Sequence, residues 1–416
     1  MSAETVTIDR LGSGGDGIAP GPAGPIYVPF TLPGETVAIA RVKNHGTVIS
    51  TAAASPERVS PPCRHFGPDG KNGTCGGCSL QHASDPLYHA YKRGLVVEAL
   101  KAKGLAPAVA PLVIARPGER QRLVLTARRT EKALLLGFNQ PSSHHIVDIE
   151  ECPIASPGIV SRLEAIRAVS AALATDSQSF RVTALETLSG LDLAFEGIRK
   201  IGDKQRRAVT ECVLSMRGIA RVSHDGEILI EPQKPQIAFG GVLVSPPPGG
   251  FTQATKEAED AMAGLVLDHI AKAKRVADLF SGSGTFALRI AHIARVHAVE
   301  GDEKALKALD HAARHAQGLK QVTVEKRDLF RRPLMASELK VFDAVVFDPP
   351  RAGAEDQCRE LARSSVKKIA AVSCNPVTLA RDLSILVAGG YRLTGVTPID
   401  QFLWSSHVEA VATLEK

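Results

Sequence analysis

Residues 345–376 read VVFDPPRAGAEDQCRELARSSVKKIAAVSCNP and contain two matching signals. Val345-Val346-Phe347 runs into Asp348-Pro349-Pro350-Arg351, and Ile369-Ala370-Ala371-Val372 runs into Ser373-Cys374-Asn375-Pro376. A short apolar run stopped by turn residues is the pattern of a strand covered on both faces, as in a parallel sheet. The two runs are therefore predicted to be neighbouring strands of an open α/β sheet. Both polar signals then fall at carboxyl ends, where such sheets bind ligands. A thiol at that edge is placed to attack, and a carboxylate beside a Pro-Pro turn lines a cleft. Most buried cysteines are inert small hydrophobes. The Asn-Pro after Cys374, however, ends its strand and turns the chain, which puts the thiol at a rim.

Working outward, strand and helix patterns alternate. Strands are expected at Arg275–Leu279, Val296–Val299, Val322–Glu325, Ala344–Phe347, Ile369–Val372 and, in the tail, Val408–Leu414. Helices are expected at Thr285–Ala294 and Glu303–Gln317 and in the remaining gaps. This is a doubly wound α/β domain. The run Pro246-Pro247-Pro248-Gly249-Gly250 marks its start, so it spans 248–416.

The first strand of that domain leads into DLFSGSGTFA, residues 278–287. Gly282 and Gly284 let the backbone approach a ligand at a helix start. Glu300 ends the second strand 22 residues after Asp278, where an acidic side chain takes ribose hydroxyls. Gly-x-Gly-x-x-Ala also fits a nicotinamide dinucleotide fingerprint. The intervening Asp278-Leu279-Phe280, and the later thiol and Asp-Pro-Pro signals that hydride transfer has no use for, favour S-adenosylmethionine.

The chain has 416 residues, 44% of them hydrophobic and 23% charged, which suits two or three soluble domains. No apolar run is long enough to span a membrane, and the polar start MSAETVTIDR is not a secretory signal, so a cytoplasmic location is expected. Residues 1–52 alternate short β-like runs with Gly/Pro turns and predict a small β-barrel. Residues 53–247 form a mixed, β-leaning central domain with a helix over 84–104, capped by Ser84 or Asp85 and stopped by Gly104.

Net charge is +6, and the excess is local: residues 51–130 hold 12 Lys/Arg against 5 Asp/Glu. Such a cluster suits nucleic acid, or simply a solvated face. Seven cysteines in a cytoplasmic chain point to metal or catalysis rather than disulfides. Cys75-Gly76-Gly77-Cys78 allows two thiolates to meet one site, with Cys63 and Cys152 available to complete it. A thioredoxin-like pair would want a helix directly after the first cysteine, and Gly-Gly opposes that. Structural zinc and a four-iron four-sulfur cluster both remain open, with Cys152-Pro153 favouring the cluster.

Taken together, the motifs resemble those of the RNA uracil-5-methyltransferases. The carriers are Phe251-Thr252-Gln253, DLFSGSGTF, Val299-Glu300-Gly301, Val346–Gly353, Val372–Pro376 with Thr378–Asp382, and His407-Val408-Glu409, in that order. The resemblance implies a Rossmann-like class I methyltransferase domain behind an OB-like TRAM barrel. It implies Cys374 as nucleophile and Glu409 as base. It carries cofactor roles to Gln253, Phe280, Gly282, Thr285, Glu300, Asp328 and Asp348, and cluster ligation to Cys63, Cys75, Cys78 and Cys152. The cysteines and the barrel look like the iron–sulfur branch acting on large-subunit (23S) ribosomal RNA, with transfer RNA as the other candidate substrate. A monomer without a membrane partner is expected. The chain departs from the better-known members in having eleven residues between Cys63 and Cys75. Cytosine-5 enzymes put their cysteine at the Pro-Pro position, held here by Arg351, and N-methyltransferases need no thiol.

Overall fold

The computed structural model describes residues 3–416. Six short strands come first: β1 (Glu4–Thr7), β2 (Arg10–Leu11), β3 (Gly17–Ala19), β4 (Ile26–Val28), β5 (Thr36–Val42) and β6 (His45–Ala53). They pair in the order β1-β5-β6-β4-β3-β2. The two edge strands, β1 and β2, are joined through Ile8 and Asp9 alone, so the sheet must curl to bring its edges together. Val6, Ile8, Val28, Val37 and Ile39 fill its interior.

Helix α1 (Asp85–Lys101) begins where Ser84 accepts the Leu87 N–H and ends before Gly104, whose φ of 70° suits glycine. Tyr88, Lys92, Val96 and Leu100 recur every four residues as its buried stripe. Val96 and Leu100 enter a core beneath the C-terminal sheet, so α1 belongs by packing to that unit.

The central unit is a seven-stranded sheet of β7 (Arg122–Arg129), β8 (Leu134–Asn139), β9 (Ile146–Asp148), β10 (Ser179–Thr187), β11 (Gly190–Glu196), β12 (Ile219–His224) and β13 (Glu227–Ile230). Its order is β13-β12-β11-β10-β7-β8-β9. Three helices, α2 (Pro157–Val160), α3 (Leu163–Leu173) and α4 (Asp203–Leu214), interrupt it in sequence. Leu163, Ile166, Val169 and Leu173 of α3 pack with Val209 and Val213 of α4 on Leu123, Val182 and Leu193 of the sheet. The hairpin β14 (Ile237–Phe239) and β15 (Val242–Val244) sends Phe239, Val242 and Val244 into the next core. The last unit therefore starts, by packing, ahead of the proline run.

That unit comprises α5 (Lys256–Ile270), β16 (Arg275–Leu279), α6 (Ala287–Ile290), β17 (Arg295–Glu300), α7 (Glu303–His315), β18 (Val322–Lys326), α8 (Ala336–Leu339), β19 (Ala344–Phe347), α9 (Glu355–Ala362), β20 (Lys368–Ser373), α10 (Pro376–Ala388), β21 (Arg392–Ile399) and β22 (Glu409–Glu415). The sheet order is β18-β17-β16-β19-β20-β22-β21. The first five strands are parallel, and β22 runs antiparallel to both neighbours. Separate apolar cores cover the two faces. The strand order reverses between β16 and β19, which opens a crevice at their carboxyl ends.

One expected element shrinks. The helix predicted over Thr285–Ala294 is a single turn, α6. Positive φ at Gly282 and Gly284 keeps the loop wound up to Phe286. Ala287 to Ala291 is buried, and after Ile290 the chain turns through the exposed His292 and Ile293 into β17.

Candidate functional site

Topology assembles the site. Asp348 follows the last residue of β19, Cys374 follows the last residue of β20, and Glu409 is the first residue of β22. Phe347 pairs with Ala371, and Ser373 with Ala410. An antiparallel strand offers its amino end at the edge where parallel neighbours offer their carboxyl ends. The three side chains thus share one edge of the sheet.

A chain of side-chain amides joins the two carboxylates. Gln253 Nε2 donates to Asp348 Oδ2 at 2.9 Å, and Gln253 Oε1 accepts from Gln401 Nε2 at 2.9 Å. Gln401 Nε2 also donates to Glu409 Oε1 at 3.0 Å, while its Oε1 accepts the Ala254 N–H at 2.7 Å. Glu409 is 4% exposed, and its Oε2 has no hydrogen-bond partner among the described residues. One carboxylate oxygen is therefore fixed and the other is free.

Burial pushes Glu409 well above the ordinary carboxylate range, and the nearby Asp348 charge adds to this; Gln401 and Lys92 pull the other way. Burial likewise raises Asp348, opposed by Gln253. The Cys374 thiol, half-buried, is pushed up to about 11 by burial and then by the charges of Glu409 and Asp348, with Arg351 opposing. This is a thiol that needs help to ionise beside a carboxyl that readily holds a proton.

The turn after β19 is held from α10. Asn375 Nδ2 and Thr378 Oγ1 both donate to the Arg351 carbonyl, at 3.0 and 3.2 Å. Asp382 accepts the Ala354 N–H at 2.6 Å, and Arg381 donates to the Ala352 carbonyl at 2.9 Å. Arg381, which the sequence offers as a holder of phosphate or base, also pairs with Glu355 and Asp382 and is occupied in shaping this turn. Arg351 keeps its side chain exposed.

The glycine loop sits across the switch point. Phe280 adopts a φ of 59°, unusual for a bulky residue. Glu300 accepts the Gly282 N–H at 2.9 Å and the Asp302 N–H at 2.8 Å. Asp328, beyond β18, accepts the Phe330 N–H at 3.0 Å, and the Phe280 and Phe330 rings lie 5.4 Å apart. Phe280, Gly282, Thr285, Glu300 and Asp328 thus flank β16 to β18 on one side of the crevice, with Gln253 and Asp348 on the other. Asp278 at the end of β16 is fully buried, and burial raises it far above the carboxylate range.

The remaining candidates lie apart from this crevice. Cys63, Cys75, Cys78 and Cys152 line one small cavity together with Phe66, Phe138, Ile149 and Ile154. Burial raises all four thiols, Cys75 to about 11 and Cys78 and Cys152 to about 12. As they stand, no group of three or more His, Cys, Asp or Glu among the described residues could hold a metal ion. The long spacer before Cys75 is a tied loop: Lys71 N–H donates to the Arg64 carbonyl at 2.7 Å, and Lys71 pairs with Glu150 at 2.7 Å.

Sequence reasoning missed Gln401, which joins the two halves of the site, and Lys92, buried beneath the loop that leads to Glu409. No spacing or motif marks either one. Their roles exist only once α1 and the 400–408 loop meet.

A doubly wound sheet of this order, with a glycine loop after its first strand and an acidic residue ending its second, defines a methyltransferase fold, and the relatives make it an RNA methyltransferase. The chain belongs to the RNA (uracil-5-)-methyltransferase family. The family model for tRNA (uracil-5-)-methyltransferase matches residues 244–416. An RNA methyltransferase of Rhizobium meliloti (strain 1021) is 73% identical over the full length of both chains. The 23S rRNA (uracil(1939)-C(5))-methyltransferase RlmD of Chromohalobacter salexigens is 32% identical over all of this chain and 90% of its own. Among solved structures, the tRNA (uracil-54, C5)-methyltransferase of Pyrococcus abyssi shares the fold across 99% of both chains, with a TM-score of 0.77 at 24% identity. Among the described residues no helix is long and apolar enough to cross a membrane.

Proposed function

We propose that this protein transfers a methyl group to carbon 5 of a uridine in 23S ribosomal RNA, with Cys374 as nucleophile and Glu409 as base. The supporting observation is the cluster of Cys374, Asp348 and Glu409 at one sheet edge, with one oxygen of Glu409 tied through Gln401 and the other free.

Carbon 5 of uracil is a weak nucleophile. Cys374 adds as thiolate to carbon 6, and the electron pair of the 5,6 double bond passes into an enolate with carbanion character at carbon 5. Bound S-adenosylmethionine supplies an electrophilic methyl group to that carbon. Glu409 then takes the remaining proton from carbon 5. The C–H pair re-forms the double bond, and the carbon 6–sulfur pair returns to Cys374. A carboxyl raised by burial is the stronger base for this proton. Arg351, exposed beside Cys374, favours the thiolate. Gln253, Phe280, Gly282, Thr285, Glu300, Asp328 and Asp348 would hold the methyl donor, with Glu300 at the ribose. The target base must leave its stack to reach the thiol.

The curled N-terminal sheet, read as a TRAM-like module, and the solvent-facing Lys and Arg side chains of residues 51–130 would grip RNA. The ribosomal substrate is favoured by full-length similarity to an enzyme named for 23S rRNA. Transfer RNA is the second reading, favoured by the name of the family model.

The four-cysteine cavity offers soft sulfur donors and apolar walls, a donor set that suits an iron–sulfur cluster. Cys63, Cys75, Cys78 and Cys152 would hold the cluster, which would brace the segment leading into α1. Anaerobically prepared protein should carry iron and sulfide; zinc alone, or neither, would remove the cluster.

The deciding assay presents labelled S-adenosylmethionine with unmodified 23S rRNA and, separately, unmodified tRNA, followed by digestion to nucleosides. Label in 5-methyluridine from 23S rRNA alone is expected, and Cys374→Ala should abolish it while RNA binding persists. Label in another nucleoside would sink the uracil-5 reading.

A further inference from the structure

Helix α1 buries one charged side chain. Lys92 is fully buried, and its Nζ donates to Asp400 Oδ1 at 3.0 Å, to the Phe402 carbonyl at 3.0 Å and to the His407 carbonyl. That engages all three ammonium hydrogens. One turn earlier, Tyr88 OH donates to Asp400 Oδ2 at 2.7 Å and accepts the Trp404 N–H at 2.8 Å. The Ser79 and Leu80 N–H groups both donate to the Trp404 carbonyl, at 2.9 and 3.0 Å. Trp404 itself sits at a φ of 56°, a conformation a bulky residue keeps only when its surroundings impose it.

The loop so gripped begins with Asp400-Gln401 and ends at His407-Val408-Glu409. Gln401 and Glu409 are the pair whose hydrogen bond fixes the base. Without Lys92, the Phe402 and His407 carbonyls lose the donor they share, and the two ends of the loop are left to the Gln401–Glu409 hydrogen bond and the Ile399–Glu409 strand pairing. The charged or titratable groups acting on Glu409 are Asp348 after β19, Cys374 after β20 and Lys92 on α1. Lys92 is the cation among them.

We propose that Lys92 is a positioning residue for Glu409, closing the 400–408 loop so that the carboxylate meets carbon 5 during elimination. This rests on the reading of Glu409 as the base. The step it serves is the last one: the proton leaves carbon 5 for Glu409, the double bond re-forms, and Cys374 is expelled as thiolate. A displaced base leaves the earlier addition and methylation intact and stalls this step. The enzyme should then remain joined to methylated RNA.

The test uses full-length enzyme, end-labelled 23S rRNA fragment and S-adenosylmethionine, resolved on denaturing gels, with release of free 5-methyluridine RNA followed in parallel. Lys92→Met is expected to accumulate a covalent protein–RNA adduct carrying the new methyl group and to release product about 100-fold more slowly, the cost of misplacing a catalytic group by about 1 Å. Glu409→Gln serves as reference and should trap the same adduct. If Glu409→Gln traps none, the base assignment fails. If it traps adduct and folded Lys92→Met releases product like the parent, the positioning role is overturned. Should Lys92→Met unfold because Asp400 is left buried without its cation, the neutral pair Lys92→Met/Asp400→Asn replaces it. Adduct accumulation in that variant supports the proposal, and parent-like release refutes it.

Discussion

Replacing Gln401 by Met tests the amide chain at its middle. The side chain keeps a similar volume but loses both N–H donors and the acceptor for Ala254. The bond to Glu409 favours its charged form, and a hydrogen bond to a charged group contributes about 1.5–3 kcal/mol. At about 1.4 kcal/mol per pH unit, its loss raises the pKa of Glu409 by roughly one to two units. Base catalysis needs the ionised carboxylate, so the acid limb of kcat/KM should move to higher pH by that amount. The assay is single-turnover formation of 5-methyluridine from about pH 6 to about pH 10. Toward the alkaline end of that range the variant should recover much of the parent rate. An unshifted limb with a uniform loss at every pH would refute the argument and reduce Gln401 to a packing residue.

Three further outcomes follow from the same geometry. Arg351→Met removes the cation that opposes the raised Cys374 pKa; the rate near neutral pH should fall several-fold and recover at higher pH, read from the same profile, and an unchanged profile would separate Arg351 from the thiol. Glu409→Gln should alter the pH dependence of stability. The raised carboxyl binds its proton more tightly in the folded state, so the parent loses stability as pH rises from the ordinary carboxylate range through the folded value, and the amide does not; thermal melts at acid and alkaline pH should show the variant gaining relative to the parent as pH rises. Gly353→Ala puts a methyl group 2.5 Å from the Arg381 guanidinium at a φ of 77°. A loss of about 1–3 kcal/mol is expected in denaturant titrations.

The strand ends were legible because their chemistry is local. An apolar run halted at Asp348 or Ser373 needs no tertiary knowledge to be placed at a sheet edge, and β16 and β19 have the predicted bounds. The glycine loop was equally plain, and the helix after it was read but drawn too long, since the wound glycine loop delays its start to Ala287 and the chain turns away after Ile290. The central unit reads as β-rich because its strands dominate, although Leu163, Ile166, Val169 and Leu173 carry the helical period of α3. Highly charged α4 hides its narrow stripe of Val209 and Val213 among polar neighbours. Lys92 reads as one more member of a basic cluster. Its partner lies 308 residues away, and only the folded chain distinguishes a solvated lysine from a buried one.

The position of β22 constrains how the molecule assembles. It lies inside the sheet, between β20 and β21, yet follows both in the chain. Until it inserts, β20 has an open edge, Cys374 stands apart from Glu409, and burying Lys92 without its Asp400 partner is costly. Insertion closes the edge, delivers Glu409 and supplies Asp400 in one event. Contacts of such long sequence separation form slowly, so this closure is expected to be the late step of folding. Cys374 and Glu409 are brought together only when the rest of the sheet is complete.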